Sequence, residues 1–155
     1  VRPNQYDLVL CVDVMEHIEE DVQVLTNYCN SLVQGGMLLI STPSDQGGSD
    51  VHDDGETSFI EEHVRDGYGV EDMANKLKIA GFSSWDIRYS YGKAGRLSWL
   101  LSMKYPMLML NATSLFFIIL PIYYLVTYPI AFLLNAIDVR VNNSKGTGLI
   151  VKAWK

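Results

Sequence analysis

The sequence predicts an α/β fold built on parallel strands, and two apolar runs with a helical pattern between them support this prediction. Residues 6–14 and residues 37–42 are nearly continuous apolar runs, which are typical of strands buried on both faces. The stretch between them has an apolar face at helical spacing, made of Val22, Leu25, Cys29, Leu32 and Val33. Strand, helix and strand with short links make a βαβ unit, which is right-handed in nearly all proteins.

The ends of this helix are marked by charge and by glycine. Glu19, Glu20 and Asp21 are expected to begin it, because negative charge is stabilised at the positive end of the helix dipole. Gly35 and Gly36 are expected to end it, since glycine commonly follows the last helical turn.

Three further elements are predicted after a long polar loop over residues 43–67, a length that is usually functional. Residues 69–80 form an amphipathic helix that Gly81 caps. Residues 85–91 alternate as a strand, and residues 146–154 are predicted to form the last strand. The inward face of the helix is predicted to carry Val70, Met73, Ala74, Leu77 and Ala80.

An apolar stretch separates the last two predicted strands. Residues 97–137 carry one charge, Lys104, and residues 115–134 carry none. As a helix, the latter would be ~30 Å long, the thickness of a bilayer's hydrocarbon core. We therefore divide the chain into a partial domain over residues 1–92 and 146–155 and a hydrophobic helical insertion over residues 93–145.

Three arrangements of the insertion stay open: a helical hairpin buried in a homodimer, an interfacial or re-entrant membrane anchor, and a lid over an apolar substrate pocket. Interfacial tyrosines and basic flanks favour the membrane surface. The prolines of the insertion are expected to break its helices. The basic flanks are Lys93, Arg96 and Lys104 before the apolar run and Arg140 and Lys145 after it. The tyrosines are Tyr105, Tyr123, Tyr124 and Tyr128, and the prolines are Pro106, Pro121 and Pro129.

Charge is distributed unevenly along the chain. Residues 1–72 have a net charge of −14 and residues 73–155 a net charge of +8. The acidic half argues against a nucleic-acid partner, because phosphates require a basic surface. Cys11 and Cys29 have no metal-ligand spacing and fit reduced core cysteines of a cytoplasmic protein.

Two segments of the chain form a recognisable motif. Residues 6–18 read Tyr-Asp-Leu-Val-Leu-Cys-Val-Asp-Val-Met-Glu-His-Ile, and residues 32–43 read Leu-Val-Gln-Gly-Gly-Met-Leu-Leu-Ile-Ser-Thr-Pro. They resemble the fourth strand, the helix after it and the fifth strand of class I S-adenosylmethionine (SAM) dependent methyltransferases, in the branch that methylates small molecules, quinone precursors and lipids. Residues 63–68 and 80–82 are similar to the segment before the sixth strand.

The resemblance implies a Rossmann-like sheet made of the family's strands four to seven, with SAM as cofactor. The family's glycine-rich loop after its first strand, and the acidic residue that ends its second strand, have no counterpart in these 155 residues. We therefore expect the C-terminal portion of a longer methyltransferase that is truncated at the N-terminus and inactive by itself.

By resemblance, the end of the first strand contacts the cofactor. Cys11, Val12 and Asp13 would bind mostly through their backbone, and Met15 would pack near the adenine or methionine part. Ligands of open α/β sheets do lie beyond the carboxyl ends of the strands. The alternative for Asp13 is a helix cap or a turn carboxylate.

The candidate catalytic residues are His17 and His63, either of which could take a proton from the acceptor. Three interpretations of Glu16 and His17 stay open: contact with substrate and general base, metal ligation together with Asp13, or a cap that orients the loop. Arg65 and Tyr68 would contact the substrate from a loop that folds over it. His63 could equally be a solvated loop histidine.

The leading function is methyl transfer from SAM to a small hydrophobic acceptor, by a cytoplasmic protein that is peripheral at the membrane. The alternative is a non-catalytic methyltransferase-like module that binds membrane or a protein partner, including a second copy, through residues 97–137. Half of a nicotinamide oxidoreductase is a weaker third interpretation, because its glycine fingerprint is also absent.

Overall fold

The computed structural model describes residues 2–46, 64, 65 and 67–155. The described chain divides into two compact units. The first consists of residues 1–89 and 146–155, and the second of residues 90–145. Each unit is described by itself below.

The first unit is an α/β unit around one four-stranded sheet of order β1-β2-β4-β3. β1 pairs parallel with β2, and β2 pairs antiparallel with β4. The amide of Ser83 donates to the carbonyl of Trp154 at 2.8 Å, so β3 starts beside the end of β4. The elements are β1 (Tyr6–Val12), a 3₁₀ turn (Met15–His17), α1 (Asp21–Ser31), β2 (Leu32–Pro43), α2 (Val70–Ala80), β3 (Ser84–Ser90) and β4 (Gly148–Trp154).

The predicted βαβ unit is confirmed, but the boundary between α1 and β2 is not where the sequence placed it. Leu32 and Val33 belong to β2 rather than to the helix. Gly35 and Gly36 lie inside β2 and do not end α1. The physical reason is strand pairing, since Leu32 lies opposite Tyr6 of β1 and the Lys155 backbone bonds both glycines.

The prediction that β1 is buried on both faces is wrong. The Cys11 side chain is buried, whereas Leu8 and Leu10 on the opposite face are 52% and 62% exposed. The core of the unit includes residues of α1 and α2, such as Leu25 and Leu77. Among the described residues of the unit, these helices pack against one face of the sheet, so alternate residues of β1 stay uncovered.

The helix α2 matches its prediction closely. It runs from Val70 to Ala80, and Gly81 follows it in the left-handed region at φ +95°. A glycine adopts this conformation without a steric penalty, and its amide bonds the last helical carbonyls. Met73 and Leu77 are fully buried, as the amphipathic pattern predicted.

The second unit is a helical hairpin. Its first arm is continuous: α3 (Lys93–Trp99), a π-helical segment (Leu100–Lys104) and α4 (Tyr105–Ala112). Its second arm is α5 (Phe116–Arg140). The arms run antiparallel, since the Ser98 hydroxyl donates to the carbonyl of Ala131 and the Tyr123 hydroxyl to that of Leu101.

The expectation that the prolines break the helices is wrong for α5. Pro121 and Pro129 both lie inside its 25 residues. Within the described part of the chain, α5 is the one helix that is long and apolar enough to cross a membrane by length and composition. Almost none of its apolar stretch is buried inside the protein.

Candidate functional site at the end of β1

The carboxyl ends of the parallel strands β1 and β2 form the candidate site. Cys11 and Val12 lie opposite Ile40 and Ser41. The chain then turns at Asp13, whose amide donates to the carbonyl of Ser41 at 2.9 Å. Asp13 adopts φ +49°, in the left-handed region that non-glycine residues rarely occupy. Strained backbone of this kind often occurs at ligand sites.

The 3₁₀ turn after Asp13 has a buried side and an exposed side. Met15 is fully buried in the core, and Glu16 is 2% exposed. The Thr42 hydroxyl donates to Glu16 Oε2 at 3.1 Å, which ties the turn to the end of β2. His17 is exposed.

The Thr42 hydrogen bond can be tested by its effect on stability. Thr42→Val is expected to lower the free energy of unfolding of the first unit by about 2 kcal/mol, because the buried Glu16 carboxyl group loses its donor. Thr42→Ser keeps the hydroxyl and is expected to cost about 0.8 kcal/mol for the lost methyl group. Urea unfolding measures both, and equal losses in the two variants would contradict the assignment.

Below the turn lies a polar cluster of Asp21, Arg65, Tyr68 and Lys76, here called the Asp21 cluster. The Arg65 guanidinium pairs with the carboxylate of Asp21 and donates to the carbonyl of Ile18 at 2.7 Å. The Lys76 ammonium lies 2.9 Å from Asp21 Oδ2. The Tyr68 hydroxyl lies 2.9 Å from the Met15 carbonyl oxygen and 3.0 Å from Asp21 Oδ2.

The electrostatics of this region differ between its two aspartates. Partial burial, and then the nearby charge of Glu16, raise the pKa of Asp13. Burial alone would raise the pKa of Asp21, but hydrogen bonds from Lys76 and Tyr68 and the charges of Lys76 and Arg65 outweigh it and lower that pKa. The Asp21 carboxylate is therefore held ionised, whereas Asp13 gains a proton more readily than an ordinary aspartate.

Cys11 sits on the core side of β1. Its thiol accepts from the Tyr28 hydroxyl at 3.8 Å. Burial raises the pKa of the Cys11 thiol, and burial with the Cys11 contact raises that of Tyr28 to about 12. A thiol with a raised pKa is a poor nucleophile, so Cys11 can meet a ligand through its backbone rather than its sulfur.

The structure brings some of the predicted site residues together and separates others. Cys11 to His17 are consecutive around the strand end, but Met15 and Glu16 point into the interior, while Val12, Asp13 and His17 are exposed. Arg65 and Tyr68 lie in the Asp21 cluster rather than at the Asp13 turn. His63 lies outside the described residues.

The alternative of metal ligation by Asp13, Glu16 and His17 required helical spacing, which the structure does not have. The 3₁₀ turn begins at Met15, so Asp13 precedes it. In the described part of the chain, no group of three or more His, Cys, Asp or Glu side chains is placed to hold a metal ion.

Sequence reasoning missed Thr42, Lys76 and the role of Asp21 as the centre of the polar cluster. The acidic start of α1 was visible in the sequence, but it indicated only a favourable helix dipole. The partners of Asp21 are 44 and 55 residues away, and no local pattern connects them.

Comparison with solved structures shows a known fold. Phosphoethanolamine N-methyltransferase 2 of Haemonchus contortus, bound to phosphomonomethylethanolamine and S-adenosylhomocysteine, has a TM-score of 0.57 at 15% identity, over 99% of this chain and 34% of its own. A SAM-dependent, possible histamine N-methyltransferase of Thermotoga maritima has a TM-score of 0.57 at 11% identity, over 100% and 58%. The [4+2]-cyclase SpnF has a TM-score of 0.54 at 15% identity, over 100% and 51%.

No protein-family profile matches the chain, and no curated protein matches its sequence. The chain spans between 34% and 58% of the length of the three solved proteins named above. Identities this low show the fold rather than the reaction, as the presence of a cyclase illustrates. The chain has an α/β fold of the class I SAM-dependent methyltransferase type, with a mixed sheet of four strands.

Proposed function

We propose that this chain takes part in methyl transfer from SAM to a small hydrophobic acceptor, with the cofactor at the carboxyl end of β1. The observation that carries the proposal is the Asp13 turn. A residue in the left-handed region is fixed there by its bond to Ser41, at the mouth of the parallel strand pair β1–β2.

The position of the turn fits a nucleotide-like ligand. Ligands of open α/β sheets bind beyond the carboxyl ends of parallel strands, and the Asp13 turn lies at that edge. Val12 and Asp13 are exposed, and β1 is an edge strand of the described sheet, so peptide groups on its unpaired side can hydrogen-bond the cofactor. The acidic first half of the chain also suits the positive sulfonium of SAM.

The proposed reaction requires few catalytic side chains. SAM supplies an activated methyl group, so the protein must align the acceptor with it and exclude water. As the acceptor bonds to the methyl carbon, its proton has to leave. The exposed His17, four residues beyond Asp13, is the proposed base for that proton. Met15 and Glu16 would shape the turn from the interior, and Arg65 and Tyr68 would support it through the Asp21 cluster.

Two variants of Asp13 test the proposed role of its backbone. Asp13→Asn removes the charge but tolerates the left-handed conformation, so SAM affinity is expected to stay close to that of the parent. Asp13→Ala favours relaxation of the turn, and an added cost of about 1 kcal/mol would weaken SAM binding about fivefold. Isothermal titration calorimetry measures both, on the 155-residue chain and on the longest natural form of the protein.

The outcomes separate three explanations. Equal loss in both variants would show that the carboxylate, not the backbone, carries the contact. No saturable SAM binding in either form of the parent would contradict the proposal and favour a non-catalytic module. Methyl transfer itself is tested with labelled SAM and quinone or lipid precursors, and His17→Gln is expected to lower turnover without weakening SAM binding.

A further inference from the structure

The helical hairpin of residues 93–140 has an apolar surface that extends around most of its second arm. Residues of α5 that do not face the first arm are exposed, such as Phe117 at 65%, Ile118 at 76% and Val126 at 62%. Residues at these positions point in different directions around a helix of 3.6 residues per turn. The buried residues Leu120, Ala131 and Asp138 lie on one narrow side. A helix that is apolar on all its free sides requires an apolar surrounding on all of them.

Three serine and threonine hydroxyls of the hairpin donate to carbonyls of the hairpin itself. The Ser102 hydroxyl donates to the Ser98 carbonyl at 2.8 Å, and the Thr127 hydroxyl donates to the Tyr123 carbonyl at 2.9 Å. The Ser98 hydroxyl donates across the hairpin to the Ala131 carbonyl at 2.9 Å. In hydrocarbon each unpaired polar group is costly, so these bonds make the hairpin compatible with a lipid surrounding.

Two tyrosines repair a break in the backbone bonding of the first arm. Pro106 has no amide proton to give to Ser102, and the Tyr105 amide bonds Leu100 instead of Leu101. The carbonyls of Leu101 and Ser102 thereby lose their regular helical donors. These same two carbonyls accept from the hydroxyls of Tyr123 at 2.7 Å and Tyr124 at 3.0 Å. Repair of a proline break by a neighbouring helix is typical of membrane helices.

The charges of the hairpin lie mainly at its open end. Lys93 begins the first arm, Arg140 ends the second, and both are exposed. Asp138, the acidic residue of this unit, is buried and accepts from the amides of Tyr91 and Gly95 at 2.9 and 3.1 Å. The open end therefore presents exposed basic side chains, those of Lys93 and Arg140, here called the basic rim. Such a rim suits anionic lipid headgroups. Residues 90–145 carry five basic side chains and one acidic side chain.

Lys104 is the charge within the apolar stretch, and its placement is compatible with a membrane. Its ammonium lies 5.9 Å from the centroid of the Trp99 ring, which is nearer the basic rim along the same arm. A long lysine side chain can carry its charge toward the headgroups in this way.

We propose that the hairpin inserts into the hydrocarbon of an anionic lipid bilayer and anchors the protein there. A second copy of the chain would cover one side of α5 and leave its other free sides in water, so the exposed arc favours lipid over a dimer. The basic rim sets the orientation, with residues 93 and 140 at the headgroups and the turn at residues 113–115 inside the membrane or at its far face. The anchor does not depend on SAM binding.

The test is flotation of the full chain with vesicles of phosphatidylcholine that contain a minority of phosphatidylglycerol. The parent chain is expected to float with the vesicles and to remain with them after washing in high salt and alkaline carbonate. Leu125→Lys places a charge on the lipid-facing middle of α5, and partition is expected to fall on the order of a hundredfold. Leu125 is 77% exposed, and Val139, the position of the control described next, is 82% exposed, so neither side chain is packed against the protein.

The matched control is Val139→Lys, which adds the same charge beside the basic rim and is expected to leave flotation unchanged. Hydrogen exchange of α1 verifies that each variant keeps the first unit folded. Release of the parent by salt alone would overturn insertion and leave only charge attraction. A lipid-free dimer that does not float, measured by light scattering, would overturn the proposal in favour of a second copy of the chain.

Discussion

Asp21→Asn is expected to lower the free energy of opening of the first unit by about 3 kcal/mol at neutral pH. The side chain of Asp21 is 5% exposed and pairs with Arg65 and Lys76, whose side chains are 22% and 19% exposed. Without the carboxylate charge, the two partly buried cations lose their shared counter-ion, and Lys76 keeps only the exposed Asp72 as a partner. Hydrogen exchange of the α1 amides measures the opening free energy of this unit independently of the hairpin.

The stability that the Asp21 carboxylate contributes is expected to decrease at low pH. The native pKa of Asp21 lies below its ordinary value, so its contribution is fully present above the unfolded pKa of about 3.9. The contribution is lost as the pH falls through the native pKa, where the wild-type carboxylate also becomes neutral. The difference between wild type and Asp21→Asn is therefore expected to be constant near neutral pH and to shrink below about pH 4.

The chain offers a matched control for the Asp21 ion pairs. Asp72 also lies near Lys76, at 3.8 Å, but its side chain is 56% exposed. Asp72→Asn is expected to change stability by less than about 0.5 kcal/mol, since an exposed pair of this kind is screened by water. Losses of equal size in the two variants would show that burial of Asp21 does not strengthen its pairs.

The cluster also explains how the structure supports the candidate site. Tyr68 is fully buried and contacts Met15 of the 3₁₀ turn through its hydroxyl. Val64 donates its amide to the Glu16 carbonyl at 3.1 Å. Val64 and Tyr68 thus both bond to the turn that follows Asp13. Loss of the cluster is expected to loosen the turn, and with it any ligand held there.

The order of strands and helices in the first unit could be predicted from the sequence because each element has its own periodicity. The helix α2 is the best case, with apolar residues at helical spacing and Gly81 after its last turn. The start of β2 could not be predicted, since Leu32 and Val33 fit helical spacing as well as they fit a strand. What decides between them is Lys155, whose backbone bonds Gly35 and Gly36 from 119 or more residues away.

The exposed face of β1 had no sequence signal either. Leu8 and Leu10 are as apolar as the buried Leu38. An apolar side chain in the sequence therefore does not show whether another element packs against it. For the candidate site, the sequence indicated the strand end at Asp13 but not the left-handed backbone. It also could not show that Glu16 turns inward, because that depends on Thr42 of the neighbouring strand.

The second large effect on stability is expected from a small substitution, Gly67→Ala. Gly67 adopts φ +146°, and a Cβ atom there would lie 2.9 Å from the backbone carbon of Pro43 and closer still to the carbonyl of Ser44. Gly67→Ala is expected to cost about 3 kcal/mol of stability, from backbone strain and overlap together. Urea unfolding of the chain measures the loss.

The segment has little freedom to relieve this overlap by moving away. The Tyr68 amide donates to the Pro43 carbonyl at 3.0 Å, and the Asp45 amide donates to the Tyr68 carbonyl at 3.1 Å. Gly69→Ala is the control two residues away, because its Cβ would meet side-chain atoms of Asp45 rather than backbone. It is expected to be tolerated. If Gly67→Ala is tolerated as well, the backbone at Tyr68 is free to shift, and the Asp21 cluster cannot be what fixes the segment against the Asp13 turn.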